Sequence, residues 1–460
     1  MKGMSSLNPQ SDNQIPHLFA RLLNKLQVAG DTIHTPIEID EENAQLLFIK
    51  SVIDGNQLQN TIIKPFFELA SEKRFLQYLD SLPNKIEIVD EETLLVELTR
   101  GMLLINVQQR YVLIDIKKVN TDSVQITSLE PTIYGPQGGL SESLETNINL
   151  LRQRYAEPSL AVEITTLTDR SKSVLAILYD KEVVDTEVLD TVRKRLGQLN
   201  NPLIQSTADL ELYLNQEKFA LFPSTLLTER PDRIVYNLAG GKVIIMLDGS
   251  PQVTMAPAVF FDFMVSMDDH YHNFWTSIST TFLRYAGLFT CTVLPALYVA
   301  IISYNPDVIR TELALTVAGS RIGVPYPSYI EVIFMLVFIE LLTEASIRLP
   351  KAVSATATTV GGLILGTAVV EAALASNIMI IVVSLVAIST FVIPINEMSF
   401  SVRATRFFLL LYATLFGLAG VIIGFVGIIM YLANKESFGK PYLKFYWKNR
   451  SEEIKGGLKK

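Results

Sequence analysis

Tyr285 to Tyr304 reads YAGLFTCTVLPALYVAIISY, twenty residues without a charged side chain. A helix of that length covers about 30 Å at 1.5 Å per residue, the thickness of the hydrocarbon layer of a bilayer. Pro295 fits such a span, because neighbouring helices can satisfy the carbonyl that a kink frees. Outward from this run the chain falls into two unlike parts. Residues 1–284 carry 25 Lys+Arg against 37 Asp+Glu, and residues 285–460 carry 14 against 10. The acidic front lacks the clustered bases that a nucleic-acid surface uses to displace counterions, so no nucleic-acid partner is expected. Cys291 is the one cysteine, which excludes a disulfide within the chain and fits a reducing compartment for the polar part. Residues 1–30 lack the basic start, apolar core and small-residue cleavage site of a signal peptide, so the front is expected in the cytoplasm.

Downstream, Phe407 to Leu432 reads as the clearest span, with Gly417, Gly420, Gly424 and Gly427 at a spacing that lets another helix approach closely. Thr358 to Pro394 is interrupted by Glu371, Ser376 and Asn377 and splits best into two helices with a tight turn. Ile330 to Leu342 is short, holds Glu331 and Glu340, follows Pro325 and Pro327, and precedes Arg348, Pro350 and Lys351. That pattern predicts a re-entrant or protein-buried segment. The tail after Asn434 has eight Lys+Arg against three Glu and is expected to be cytoplasmic. With both ends on one side the number of crossings is even. Four spans plus one re-entrant segment satisfy this, although Arg403 and Arg406 then fall on the side where bases are disfavoured.

The front reads as α/β. Leu46 to Ile53, Lys85 to Val89, Met102 to Val107 and Tyr111 to Ile116 are strand-like, while Leu58 to Ala70 and Glu92 to Arg100 have helical spacing. A second block repeats the order, with strands at Ser173 to Tyr179, Lys242 to Leu247 and Val253 to Met255 and helices at Thr186 to Leu199 and Arg233 to Ala239. Gly101 through Ile114 lies against Gly241 through Thr254 at a constant offset of 140 residues. The expected fold is therefore a soluble α/β N-terminal region of two related subdomains followed by an α-helical polytopic membrane domain. Its parts are a polar arm over 1–40, a first subdomain over 41–120, a connection over 121–160 and a second subdomain over 161–258. A membrane-surface segment over 259–284, the membrane domain over 285–434 and a basic tail over 435–460 complete it.

No catalytic constellation, cofactor motif or metal set emerges, and the chain is not read as an enzyme. Gly240-Gly241-Lys242 lacks the earlier Gly and the following Ser/Thr of a phosphate loop and precedes a strand. Asp268 to His272 gathers possible metal ligands, but without a partner cluster it reads as a polar segment at the membrane surface, next to the interfacial Trp275. The acids of the membrane half carry more information, since a charge at the bilayer centre costs about 2.5–3.5 kcal/mol on insertion scales. Glu331, Glu340, Glu344 and Glu371 are thus candidates for a cation path or a subunit contact, with Glu340 first and Glu371 second. The competing expectation is that they pair with Arg348 or Lys351, and Glu344 with Arg348, four residues on, is a structural ion pair on spacing alone.

These residues bring a family into view. Ser143-Leu-Glu-Thr-Asn147 with Glu145 and Asn147, Arg170-Ser-Lys172, Thr228-Glu-Arg-Pro-Asp-Arg233 with Arg230 and Asp232, and Asp248-Gly-Ser-Pro251 occur in the order seen in GerA-type germination receptors. So do Leu294-Pro-Ala-Leu-Tyr-Val-Ala300, Gly323-Val-Pro-Tyr-Pro327 with Pro325 and Pro327, and Arg348-Leu-Pro-Lys351. The chain resembles the A subunits of that family over roughly residues 40–445. It departs from the pattern at Gln137 and Gly138, where the family has an Arg-Glu pair, and at Gly439-Lys-Pro441. The resemblance implies a non-enzymatic role at the inner membrane of a bacterial spore, with a transporter-like B subunit that binds the nutrient and a lipoprotein C subunit. It implies a homo-oligomer among membrane lipid that conducts cations in response to the germinant. A membrane-anchored scaffold without a pore stays open. So does a secondary transporter, which would need a repeat among its membrane segments.

Overall fold

The computed structural model describes residues 21–443, apart from 24, 27–29, 40–41, 87–89, 119–126, 128–129, 168–171, 200–202, 216 and 218–219. It forms two units, one of residues 1–216 with 225–257 and one of residues 217–224 with 258–460.

In the first unit, β1 (Thr32–Ile39) and β2 (Glu42–Ile49) form an antiparallel pair. Helices α1 (Lys64–Leu69) and α2 (Glu72–Ser81) lead to the short β3 (Lys85–Ile86). Then α3 (Glu91–Thr99) precedes the hairpin of β4 (Met102–Val107) and β5 (Arg110–Asp115). The strand order is β1-β2-β4-β5-β3, antiparallel throughout. Alternate side chains of β4 point to opposite faces, as the period of a strand requires. Leu103 and Ile105 join Phe66, Phe75 and Leu79 on one face, and Leu104 joins Leu22, Leu26, Leu94 and Leu98 on the other. The strand expected over Lys85 to Val89 is described only to Ile86.

The second subdomain runs α4 (Leu144–Arg154), β6 (Leu160–Thr166), β7 (Val174–Asp180), α5 (Thr186–Gly197), α6 (Thr207–Leu214), β8 (Leu226–Thr228), α7 (Pro231–Ala239), β9 (Val243–Leu247) and β10 (Val253–Ala256). Its order, β6-β7-β9-β10-β8, repeats that of the first sheet position for position. The offset of 140 residues holds for β4 and β9 but not beyond. Leu103 faces Ile114 whereas Val243 faces Ala256, so the second hairpin has a loop two residues longer. Two further expectations are corrected. The arm expected over 1–40 contains β1, whose Pro36 and scattered polar residues hide an edge strand that pairs on one side only. The connection expected over 121–160 holds α4, which packs beside α7 and the turn at Lys50–Val52.

Gly101 and Gly241 occupy equivalent places between a helix and the strand it feeds, at φ +103° and +81°. A Cβ on Gly101 would lie 2.7 Å from the Val52 carbonyl oxygen, and one on Gly241 2.5 Å from that of Val183. Left-handed backbone alone costs a side-chain-bearing residue about 1–2 kcal/mol, and the clash adds to it. Gly101→Ala and Gly241→Ala are each expected to speed limited proteolysis of the full chain within their own subdomain. Unchanged cleavage in both would refute the equivalence.

The second unit is helical. After Phe260–Met264 and a single turn at Asp268–Tyr271 come α8 (Phe274–Tyr304), α9 (Thr311–Arg321), α10 (Ser328–Arg348), α11 (Lys351–Glu371), α12 (Asn377–Phe391) and α13 (Asn396–Asn434), closed by a small hairpin of β11 (Glu436–Ser437) and β12 (Lys440–Pro441). Among the described residues, α8 and α13 are the two helices long and apolar enough to cross a membrane, by length and composition. The tight turn expected in Thr358 to Pro394 lies between α11 and α12. Ile330 to Leu342 is the middle of the unbroken 21-residue α10, longer than its apolar run.

The straight span expected over Phe407 to Leu432 is overturned. At Gly417 the backbone leaves the helix, with φ 62° and ψ −138°. A Cβ on Gly420 would then lie 2.0 Å from the Tyr412 carbonyl oxygen, and one on Gly424 2.7 Å from Leu409. Residues eight and fifteen apart along one straight helix never meet in this way. The two arms of α13 fold back on each other, and the glycines admit the chain's own preceding arm. Val293, Ala296 and Ala300 of α8 pack with Leu409, Ala413 and Val421 from both arms, and Tyr304 covers the Gly417 bend and donates to the Thr414 carbonyl. Lys435 reaches Glu217 at 3.3 Å and Ser437 donates to the Ser224 carbonyl, which ties residues 217–224 into this unit. Tyr442 is fully buried there, and burial drives its phenol well above the ordinary range.

Candidate functional site

Three of the four acids expected to matter, Glu331, Glu340 and Glu344, lie on α10, where each meets a different fate. Glu331, in its first turn, is completely buried. Its Oε1 accepts from the backbone N (2.6 Å) and Oγ (2.7 Å) of Ser376. Ser376 caps α12, so the carboxylate sits where a helix N-terminus presents unpaired N–H groups and partial positive charge. Arg321 Nε lies 3.3 Å from the other oxygen but out of line for a hydrogen bond, which leaves both atoms without one. Ser328, three residues earlier, hydrogen-bonds Ser303 of α8.

Glu340 lies about two and a half turns further along. Arg403 Nη1 donates to its Oε2 at 2.6 Å and Arg406 Nη2 to its Oε1. The Arg406 side chain is 1% exposed and that of Glu340 28%. Arg403 stacks on Phe400 at 4.3 Å and Arg406 on Phe407 at 5.5 Å. The expected partner Arg348 is therefore not the one that holds Glu340. Arg348 lies eight residues on, about 12 Å along the helix, and instead pairs with Glu344 at 2.6 Å in an exposed i,i+4 bridge. The side chain of Lys351 lies outside the described ones. Glu371 ends α11, is exposed, and has no ion-pair partner among the described residues. One carboxylate between two guanidiniums leaves the Glu340 centre with a net positive charge, so Glu340 is a poor free anion for a cation path.

Other expected positions serve the framework of the first unit. Asn147 bonds the Ser141 backbone both ways, at 2.8 and 2.7 Å, and Asp248 accepts from Leu144 N at 3.0 Å, so this motif ties α4 to the β9–β10 hairpin. Glu145 pairs with Lys118 at 3.1 Å. Arg230, fully buried, grips Asp232 at 2.6 and 3.1 Å. Pro327 caps α10, and Pro325 lies in the turn before it. Asp269, from the run that collects metal-ligand types, is engaged by Arg284 and Thr280. Missed altogether is a buried pair, Arg152 with Asp31, whose partners are 121 residues apart and leave no local signal.

A family model described as Bacillus/Clostridium GerA spore germination protein matches residues 20–459. The chain belongs to the GerA family. Spore germination protein B1 of Bacillus subtilis (strain 168) is 33% identical to it over 410 residues, covering 87% of this chain and 85% of that one. The uncharacterized membrane protein YfkQ of the same organism is 30% identical over 418 residues, covering 89% and 81%. Among solved structures, the N-terminal domain of the A subunit of the Bacillus megaterium spore germinant receptor GerK3 is 21% identical, with a TM-score of 0.41, covering 56% of this chain and 99% of that domain. The GerA-family chain thus has an α/β front and apolar helices behind it.

Proposed function

We propose that this chain is the membrane subunit of a nutrient germinant receptor in the inner membrane of the spore, with its N-terminal region and tail cytoplasmic. Several copies assemble with a transporter-like subunit and a lipoprotein subunit and form a cation path opened by the nutrient signal. The observation that supports this is the uncovered state of α11. Between its ends it has no charge, and it carries Ser354, Thr356, Thr359 and Thr367 with Gly361, Gly362 and Gly366. Of its described side chains only Val369 is buried, while Leu363 and Ile364 are well exposed. A helix left bare in one copy is one that neighbouring copies can share. Repeated around an axis it would bring hydroxyls and small residues to a water-filled centre, with Glu371 as a carboxylate ring at one mouth, a device that favours cations. Glu331 and Glu340 then act as clamps that hold α10, and with it α11, against the α8–α13 bundle.

Glu371→Gln is expected to slow germinant-triggered cation release several-fold at unchanged receptor level. Single cysteines at Thr356, Gly362 or Thr367 in a Cys291→Ser background are expected to make release sensitive to thiol reagents. If release keeps its rate and selectivity in every one of these variants, the chain acts as a scaffold and the path belongs to another subunit.

A further inference from the structure

The Glu340 centre holds more positive charge than its one carboxylate balances. Arg403 and Arg406 each give that carboxylate a single hydrogen bond, and among the described residues neither arginine pairs with another acid. The Nε of each is buried and bonds nothing. A guanidinium carries five donors in a fixed fork and is often met on two of them at once by one carboxylate or phosphate. Here both forks stay mostly unused. The surplus charge also lies among apolar helices, where an ionised group is costly unless something pairs with it. A singly charged oxyanion would cancel the surplus and supply the missing acceptors.

The surroundings narrow the kind of anion. The centre is not sealed, since the Arg403 side chain is 13% exposed and that of Glu340 28%. Its neighbours on the same two helices are apolar and bare. Val337 and Leu341 flank Glu340 on α10 at 44% and 60% exposure, and Phe400, on whose ring Arg403 stacks, is half exposed on α13. A dissolved anion would make no use of these groups, whereas a phospholipid brings acyl chains together with its phosphate. Basic pockets between membrane helices are known seats for anionic headgroups. We propose that Arg403 and Arg406 bind the phosphodiester of an anionic phospholipid beside Glu340, with its chains along Val337, Leu341 and Phe400. Two guanidiniums then face one carboxylate and one phosphodiester, and the charge closes. This rests on the membrane reading above.

The test uses the full chain in nanodiscs of phosphatidylcholine with or without phosphatidylglycerol, whose phosphate has no cation of its own. Native mass spectrometry of the released chain should show phosphatidylglycerol retained in preference to phosphatidylcholine. Arg403→Gln leaves Arg406 and Glu340 as a neutral pair, so the chain should accumulate while the preference falls about fivefold, the share of one basic residue near an anionic surface. Arg403→Lys keeps the charge and should keep most of the preference. Equal retention of the two lipids by the parent, or a preference untouched by Arg403→Gln, would overturn the proposal. Thermal protection of the detergent-solubilised chain by inorganic phosphate that matches protection by phosphatidylglycerol would also overturn it, making the ligand a free anion. Loss of a partner subunit from Arg403→Gln with no change in lipid preference would assign the surplus charge to a carboxylate of that partner, against the proposal. Release of the chain from spore membranes by alkaline carbonate alone would overturn the membrane reading itself.

Discussion

Arg152→Ala is expected to loosen the junction between the two α/β subdomains by about 3–5 kcal/mol, the usual penalty for removing one partner of a buried ion pair. Arg152 Nε and Nη2 donate to the two Asp31 oxygens at 3.0 and 2.7 Å, and both side chains are almost fully buried. Ser51 donates to the same carboxylate at 2.5 Å, and Asn149 holds the Ser51 carbonyl at 2.9 Å. The alanine would leave the Asp31 charge in a dry site with one hydroxyl donor. Against a typical domain stability of about 5–15 kcal/mol this is a large fraction. Amide exchange in β1 and α4 of the full chain should accelerate roughly a hundredfold or more. The double change Arg152→Met with Asp31→Leu should be milder than Arg152→Ala, because it removes the stranded charge as well. An alanine variant with exchange within threefold of the parent would show that the pair contributes nothing.

Glu340→Gln should be comparably damaging in the helical unit. Gln keeps the shape but leaves Arg403 and Arg406 facing each other without a counter-charge, one of them with 1% of its side chain exposed. Breaking the centre from the carboxylate side is expected to cost about 3–5 kcal/mol. The first sign should be loss of receptor level and of complex with its partners, before any change in conductance. Adding Arg403→Gln and Arg406→Met, which removes the excess positive charge, should restore much of the level. Normal accumulation of Glu340→Gln together with altered cation selectivity would instead return Glu340 to the path and make the clamp reading wrong.

Much of the architecture was legible in residue order because it rests on local regularities. Twenty uncharged apolar residues at Tyr285 to Tyr304 make a helix whatever surrounds them, and a helix ending at Gly101 or Gly241 before an apolar hairpin reads the same way twice. The family motifs were legible as well, since ordered short matches need no three-dimensional information. Where the local signal was weak the reading failed. β1 is an edge strand with Pro36 and half its residues polar, so only its pairing with β2 reveals it. The length of the second hairpin turned on loop geometry that a constant offset conceals.

Tertiary structure decided what the charges do. Hydropathy marked Glu331, Glu340 and Glu371 as costly but carries no information on which cation approaches across the bundle. Arg403 and Arg406 come from a helix more than sixty residues away and reach Glu340 because α10 and α13 both pack on α8. Asp31 and Arg152 meet for the same kind of reason. Gly417 is the sharpest case. Along the sequence it is one small residue in a regular glycine series, and a continuous span follows from it. In the fold its backbone turns back, because the close contact of Gly420 and Gly424 with the preceding arm and the cover of Tyr304 favour a hairpin over a straight helix. Composition and periodicity thus determined that this chain has an apolar helical half and a duplicated α/β half. Which carboxylates are clamped and which one stays free is set by contacts between residues distant in sequence, whose energies depend on burial and geometry that no local pattern records.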